Sequence, residues 1–247
     1  MTDDSIIIIN SIPKSGTHLV LQLILGYKNT SRYRWIYKED DINGIKPGEV
    51  ILAHLNFSRK AQKLMRDQNI KMIFVYRDLR DISVSLLHFI IRNQYNHPMH
   101  PYIMKTSPSN ERRLLTIIKG ERQVPFNRYS PFVVPPIDYY ARKKSKWLTD
   151  RNVCNVSFEQ LRKSERSLDK SLKRIIEYLH GHPYDDKSLP AILNRMKKNV
   201  NHAKSDTFRK GQIGDWKHEF KDIHKRTFKH VANDLLIKYG YESDDNW

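Results

Sequence analysis

Residues 5–27 read SIIIINSIPKSGTHLVLQLILGY. The four isoleucines at 6–9 form a β-branched run with no polar alternation, the pattern of a strand buried on both faces. Pro13 and Gly16 end it. From Thr17 to Tyr27 the apolar residues return at helical spacing. Strand, tight loop and helix in that order open an α/β unit. The alternation continues downstream. Residues 50–53, 71–76 and 153–158 are short apolar strands. Ser58 caps a helix reaching about Gln68, and a second helix covers 79–93 with Ile82, Leu86, Phe89 and Ile90 on one face. Further helices are expected over 159–162, 167–180, 188–199 and 221–239. The class predicted is α/β: one domain over 1–247 with a central, mostly parallel sheet flanked by helices on both faces. Residues 95–136 are rich in proline and aromatics, with a weak helical pattern only at 111–119. They are expected to form a loop-rich insertion, a lid or substrate wall.

Composition bounds the function less tightly. Lys and Arg number 44 against 27 Asp and Glu, a net charge of +17, so some face is strongly cationic. That fits nucleic acid, an anionic membrane surface or a polyanionic small ligand. The basic groups, such as Arg142, Lys143, Lys144 and Lys146, are spread along the chain, and each also reads as a plain solvated face. Aromatic residues at 11% exclude a disordered chain. No apolar run approaches the roughly 18 residues of a membrane span. Cys154 is the only cysteine, which fits a reducing compartment. Residues 1–4, MTDD, do not begin a signal peptide, so the sequons at Asn29, Asn56 and Asn155 read as chance matches and a cytoplasmic protein is expected.

Three motifs carry chemistry. Pro13-Lys14-Ser15-Gly16-Thr17 joins the first strand to the first helix. Anions sit well there, because the first turn of a helix has unpaired N–H groups and the dipole is positive. Gly16 permits close approach, Ser15 and Thr17 add hydroxyls, and Lys14 adds a mobile ammonium. The order differs from the NTPase loop, in which Lys follows the last Gly. The alternative is an ordinary strand–helix turn. Arg77-Asp78-Leu79-Arg80-Asp81, continuing to Ser85, follows the third strand. Ligands of open parallel sheets bind beyond carboxyl ends of strands, and Arg suits bidentate contact with phosphate. Equally, Arg77 and Arg80 could pair with Asp78 and Asp81. Phe208-Arg209-Lys210-Gly211, continuing through Gly214-Asp215-Trp216, sets cations beside glycine. Three of the nine glycines fall in the first and third motifs, which argues for close backbone approach to a ligand. No zinc spacing or G-x-S-x-G elbow is present.

With these residues in order, the sequence resembles the cytosolic-type sulfotransferase family. Residues 13–17 are similar to its 5′-phosphosulfate loop, PKSGT. Arg77, Asp81 and Ser85 resemble its R-x-x-x-D-x-x-x-S 3′-phosphate motif. Residues 209–216 resemble its RKGxxGDW. The resemblance spans 14–216 and implies a P-loop-like phosphosulfate loop. It also implies a donor co-substrate, 3′-phosphoadenosine 5′-phosphosulfate (PAPS), and no metal. Sulfuryl transfer would go in line to a hydroxyl or amine of a small-molecule acceptor. Lys14 would meet charge on the leaving bridge oxygen. His54, in Ala53-His54-Leu55, would be the general base, with Glu39 and Asp40 in reserve. The implied donor contacts are Lys14, Ser15, Gly16, Thr17, His18, Leu19, Arg77, Ser85, Phe158, Leu193, Phe208, Arg209, Lys210 and Gly211. Met196-Lys197-Lys198-Asn199 resembles the family's M-K-x-N, which puts Leu193 against the adenine.

Departures are also visible. Leu19 stands where the family has an adenine-packing Trp, and Leu193 where it has an aromatic. Phe158 lacks a Tyr hydroxyl, and Leu52 replaces a Lys two residues before the base. Adenine stacking would be weaker, or supplied by Phe208 or a Trp. The family's dimer signature has only a loose echo in residues 221–231, which leaves a homodimer as an option. The rivals are a P-loop-type nucleotide kinase, which needs a Gly-Lys order and a Mg²⁺ carboxylate not found here, and a basic nucleic-acid-binding protein, for which no recognition motif appears; nucleic acid is not expected as a partner.

Overall fold

The computed structural model describes residues 5–93, 95–127, 130–183, 187–201 and 209–247. In chain order the elements are β1 (Ile7–Ser11), α1 (Thr17–Lys28), β2 (Arg34–Ile36), a 3₁₀ turn (Glu39–Gly44), β3 (Val50–Ala53), α2 (Arg59–Asp67) and β4 (Lys71–Tyr76). Then come α3 (Leu79–Ile91), α4 (His100–Thr106), α5 (Asn110–Lys119), β5 (Glu121–Asn127), β6 (Ser130–Val134) and α6 (Ile137–Lys144). A second 3₁₀ turn (Ser145–Thr149) leads to β7 (Val153–Ser157), α7 (Phe158–Arg162), α8 (Glu165–His180), α9 (Leu189–Lys198), α10 (Trp216–Glu219) and α11 (Asp222–Lys238). The chain gathers into two compact units. One takes Met1–Arg77 and Lys144–Gly211, the other Asp78–Lys143 and Gln212–Trp247.

The first unit holds a parallel sheet of order β2-β3-β1-β4-β7. Its centre is the isoleucine run, and Ile7, Ile8 and Ile9 are all fully buried. Ile7 and Ile9 join Leu52, Ile73 and Val75 in one cluster with Val20 and Ile24 of α1, Ile175 and Ile176 of α8, and Met196 of α9. On the other face Ile8, Ile51 and Phe74 are equally buried. Both faces are covered, which is why β1 shows no polar alternation. Each such side chain contributes about 1.5–3 kcal/mol by leaving water.

Helix α1 crosses α9 closely. A Cβ on Gly26 would sit 2.8 Å from Asn199 Cβ and 3.0 Å from the Arg195 carbonyl. The Arg195 guanidinium donates to the Gly26 and Tyr27 carbonyls, both at 2.9 Å, meeting orphan acceptors at the end of α1. Ser58 caps α2 as expected, its Oγ accepting from the Ala61 N–H at 2.9 Å. Strand β2 was not foreseen. The strand exists by pairing, Trp35 opposite Leu52.

The second unit corrects the expectation of a loop-rich insertion at 95–136. That stretch carries α4, α5 and the antiparallel pair β5-β6. Proline was the misleading signal. Pro101 lies in the first turn of α4, where its missing N–H costs nothing. Ser109 caps α5 through the Arg112 N–H, and Pro125 and Pro131 fall in a two-stranded sheet whose strands are both edges.

Candidate functional site

Parallel pairing sets four strand ends side by side in the first unit. Asn10 pairs with Ala53, Ser11 with Val75, and Tyr76 with Ser157. The residues one step further on are therefore the loop after β1, His54 after β3, Arg77 after β4 and Phe158 after β7. This is the carboxyl edge, where open α/β sheets bind ligands.

The loop is shaped for an anion. Lys14 has φ +70° and Gly16 φ +95°, both left-handed. Helix α1 starts with no side-chain cap and no acidic residue in its first turn, so its positive end faces outward uncompensated. Ser15 is fully buried, and its Oγ has no hydrogen-bond partner. Such an orphan costs about 1–3 kcal/mol, and a phosphate oxygen in the loop would relieve it. Gly16 is required twice over. Its φ is unfavourable for other residues, and an added Cβ would lie 2.6 Å from Phe158 Cδ2.

Phe158 is buried beneath that glycine, and the Arg77 guanidinium carbon lies 4.3 Å from its ring centroid. The aromatic face thus supports both the loop and the arginine. Arg77 is itself 7% exposed.

His54 is tied to the same loop through hydroxyls. Its Nδ1 lies 3.0 Å from the Ser11 carbonyl and 3.1 Å from Ser11 Oγ, and that Oγ is 2.7 Å from Thr17 Oγ1. A carbonyl can only accept, so Nδ1 carries the proton and Nε2 keeps the lone pair of a base. Burial pushes the imidazole down to about 4, against the pull of the Ser11 carbonyl; Lys144, His18 and Lys14 push further the same way. His54 is therefore neutral throughout the physiological range.

Beside it stands an aromatic wall that the sequence reading passed over. The Trp35 ring is 5.1 Å from His54 and 6.3 Å from His18, and Tyr37 stacks on Trp35 at 6.4 Å. Tyr37 is 83% exposed. A signal existed: Tyr33, Trp35 and Tyr37 alternate at period two across β2. The reserve acids are engaged elsewhere. Glu39 accepts from the Ser58 hydroxyl, and Asp40 pairs with Lys60. Leu52 is fully buried in β3, so no cation comes from that position.

Leu19 and Leu193 lie at the rim of the core cluster, both partly buried. The M-K-K-N stretch has a docking role: Met196 is in the core, and Asn199 Nδ2 donates to the Gln22 carbonyl at 2.6 Å. Arg209 is half-buried and Lys210 exposed. The Gly211 carbonyl lies 3.4 Å from Arg162 Nε, at the end of the helix that Phe158 begins. Phe208 lies outside the described residues.

In the second unit Asp78 and Arg80 do pair, at 2.7 Å, with Arg80 also on Glu242 and between Trp216 and Trp247. Asp81 takes a different partner from the one first considered. Its carboxylate accepts from the Gly214 N–H at 2.8 Å and the Trp216 N–H at 3.0 Å. It fastens the G-D-W end of the third motif to α3. Ser85 is half-buried, two turns into α3.

A groove of about 580 Å³ also exists, beside Ile70, Lys71, Met72, Asn152 and Val153. These are the amino ends of β4 and β7, and none of the site residues above lines it. Among the described residues no helix is long and apolar enough to cross a membrane.

Comparison with known proteins follows the same lines. The family model described as "Sulfotransferase domain" matches residues 38–240. It takes in His54, Arg77 and the 209–216 segment and begins after the anion loop. The chain is 24% identical to sulfotransferase 2B1 of Mus musculus, over 95% of this chain and 72% of that one. It is 25% identical to sulfotransferase 6B1 of Homo sapiens, over 96% and 80%. Among solved structures it is similar to mouse sulfotransferase SULT7A1 complexed with PAP, with a TM-score of 0.63, 21% identity and coverage of 94% and 84%. It is also similar to retinol dehydratase in complex with androsterone and inactive cofactor PAP, with a TM-score of 0.57, 16% identity and coverage of 93% and 80%.

Proposed function

The chain belongs to the sulfotransferase family, and from that premise we propose how its residues carry out the transfer. The enzyme is a PAPS-dependent sulfotransferase. It moves a sulfuryl group to the hydroxyl or amine of a small acceptor and releases 3′-phosphoadenosine 5′-phosphate (PAP), the ligand bound in both structural relatives. One observation carries the assignment of roles. His54, with its Nδ1 proton on Ser11, is joined through the Ser11 and Thr17 hydroxyls to the start of α1. Base and anion loop therefore hold one geometry.

The donor's 5′ end belongs in the loop, with its oxygens toward Lys14, the Ser15 hydroxyl and the first-turn amides of α1. The 3′-phosphate belongs with Arg77, Arg209, Lys210 and Gly211, and the adenine beside Leu19 and Leu193. In the transfer a bond forms from sulfur to the acceptor oxygen or nitrogen while the bond from sulfur to the bridge oxygen breaks. The acceptor proton passes to His54 Nε2. Negative charge grows on the departing phosphate, where Lys14 and the helix dipole meet it without reorganising. By analogy with phosphoryl transfer, positioning and electrostatics supply most of the acceleration. Trp35 and Tyr37 form one wall for the acceptor. We place the reaction in the cytoplasm, where the buried Cys154 thiol stays reduced, and keep a homodimer through residues 221–231 within the same reading.

Two variants test the donor site. Arg209→Ala is expected to weaken PAP at least tenfold and AMP hardly at all, since a charge-assisted hydrogen bond is worth about 1.5–3 kcal/mol. Equal losses for both nucleotides, measured by calorimetry, would remove the 3′-phosphate role. Gly16→Ala is expected to cost PAP binding about tenfold or more, because the new Cβ meets the Phe158 ring at 2.6 Å in a left-handed conformation. Unchanged affinity would show that the loop does not close on the donor. Transfer from PAPS to a phenol panel tests the activity itself; no transfer to any acceptor by a protein that binds PAP would count against it.

A further inference from the structure

The protons around His54 can be followed one by one. The Ser11 carbonyl has only lone pairs, so His54 Nδ1, at 3.0 Å, donates to it. The same N–H also faces Ser11 Oγ at 3.1 Å. A protonated Nδ1 accepts nothing, so Ser11 Oγ is the acceptor in that contact. Ser11 then has its own proton to place. The residue is fully buried, and among the described residues the remaining partner of its hydroxyl is Thr17 Oγ1 at 2.7 Å, an ordinary O–H···O separation. The Ser11 hydroxyl therefore donates to Thr17. Reversing that bond would strand a proton in the core, an orphan donor of the costly kind. Thr17 keeps its own proton to give, and among the described residues its hydroxyl makes no other hydrogen bond. Thr17 is 6% exposed. It follows Gly16 and opens the first turn of α1, where free amides and the dipole favour an anion. The series runs one way, from imidazole to Ser11 to Thr17, and ends on an O–H at the anion loop. A phosphate offers only acceptors to such a group.

We propose that Ser11 is a positioning residue of the transfer reaction: its hydroxyl links His54 to Thr17 in a one-way hydrogen-bond relay, and Thr17, giving its remaining proton to the donor's 5′-phosphate, tightens the hold on the imidazole. This rests on the donor's 5′ end lying in the anion loop. In a buried series each hydrogen bond polarises the next. Donation to a phosphate makes Thr17 Oγ1 a better acceptor for Ser11, and that in turn makes Ser11 Oγ a better acceptor for the His54 Nδ1–H. The ring is then held in one orientation, with its lone pair on Nε2. Donor occupancy reaches the base through two hydroxyls, with no movement of the backbone.

The test is NMR of labelled imidazole, with and without saturating PAP, in wild type, Ser11→Ala, Thr17→Val and Thr17→Ser. In wild type PAP is expected to move the His54 Nδ1–H signal downfield and to slow its exchange with water about tenfold. Thr17→Ser keeps the hydroxyl and should keep the response. Ser11→Ala and the near-isosteric Thr17→Val should lose it. Ser11→Ala should also lower kcat about three- to tenfold, the worth of one neutral hydrogen bond. KM for PAPS should stay within about twofold, because the Ser11 side chain meets Thr17 and His54. An equal response in Ser11→Ala or Thr17→Val would be the through-space field of the phosphate and overturns the proposal. If one of these two variants does not fold or does not bind PAP, the other decides alone, since each breaks a different link. Calorimetry on the same samples separates the two possible failures. A wild-type chain that binds PAP without the response removes the relay alone; one that binds no PAP removes the donor placement and the relay with it.

Discussion

Replacing His54 with alanine is expected to lower the rate of transfer about a thousandfold while leaving PAP affinity within about twofold. General base catalysis contributes roughly 10²–10⁴ in rate, and nothing in the variant restores it, since Glu39 and Asp40 are bound to α2 residues. The donor loop keeps its shape, because Ser11 Oγ still meets Thr17 Oγ1. The Ser11 carbonyl loses one partner, worth about 1 kcal/mol, so Tm should fall by about 2–4 °C. The wild-type pH profile carries the same signature. An ordinary histidine would lose its basic form below about 6.5. The His54 imidazole, pushed down to about 4 mainly by burial, keeps it. The sign is direct: protonation stops a base, and a lowered pKa moves that loss to lower pH. kcat/KM should therefore stay level from pH 8 to about 5.5 and fall below that. A limb near 6.5 in wild type, or a His54→Ala enzyme with near-normal rate, would mean that another group takes the proton.

Lys14→Met is expected to reduce kcat by about 10²–10³, the usual loss when one donor to a developing oxyanion is removed. PAP binding should weaken far less, about tenfold or under. PAP lacks the sulfuryl group, and on the proposed placement its phosphate would still meet the α1 dipole and the Ser15 hydroxyl. The split between the two effects is the informative part. An interaction made only in the transition state lowers kcat and kcat/KM together. If Lys14→Met raised KM and left kcat alone, the ammonium would be a ground-state anchor, and the bridge oxygen would leave with help from elsewhere. Lys14→Arg should recover only part of the rate, because a planar guanidinium on a left-handed residue cannot place a point charge in the same spot.

Much of this site could be read from residues alone because its chemistry is local. The isoleucine run, Gly16 and Thr17 lie within twelve residues, so a strand, an anion loop and a helix start are visible without tertiary information. The β-branched runs, buried on both faces, marked a mostly parallel sheet; its strand order is visible only in the pairing. What escaped depended on long-range contact. Trp35 is close to His54 only because β2 pairs with β3, and the alternation of Tyr33, Trp35 and Tyr37 does not say which strand it will join. Lys144 sits within a basic run that reads as a solvated face, and only the structure shows it to be buried, its ammonium on Asn56. Asp81 matched a motif, but its work, holding the Gly214 and Trp216 N–H groups, lies across more than 130 residues of sequence. Phe158 was read only as a nucleotide contact; the structure adds that it is a buried floor on which Gly16 and Arg77 rest. In the 95–136 stretch, proline stood for loops where it in fact marks a helix start and edge strands.

The most direct test is a calorimetric titration of the purified chain with PAP, with AMP titrated in parallel. One PAP per chain with micromolar or tighter affinity, and AMP at least tenfold weaker, is the predicted result. No heat with PAP, or equal affinity for the two nucleotides, would contradict a donor held by both its phosphate ends at the carboxyl edge of the sheet.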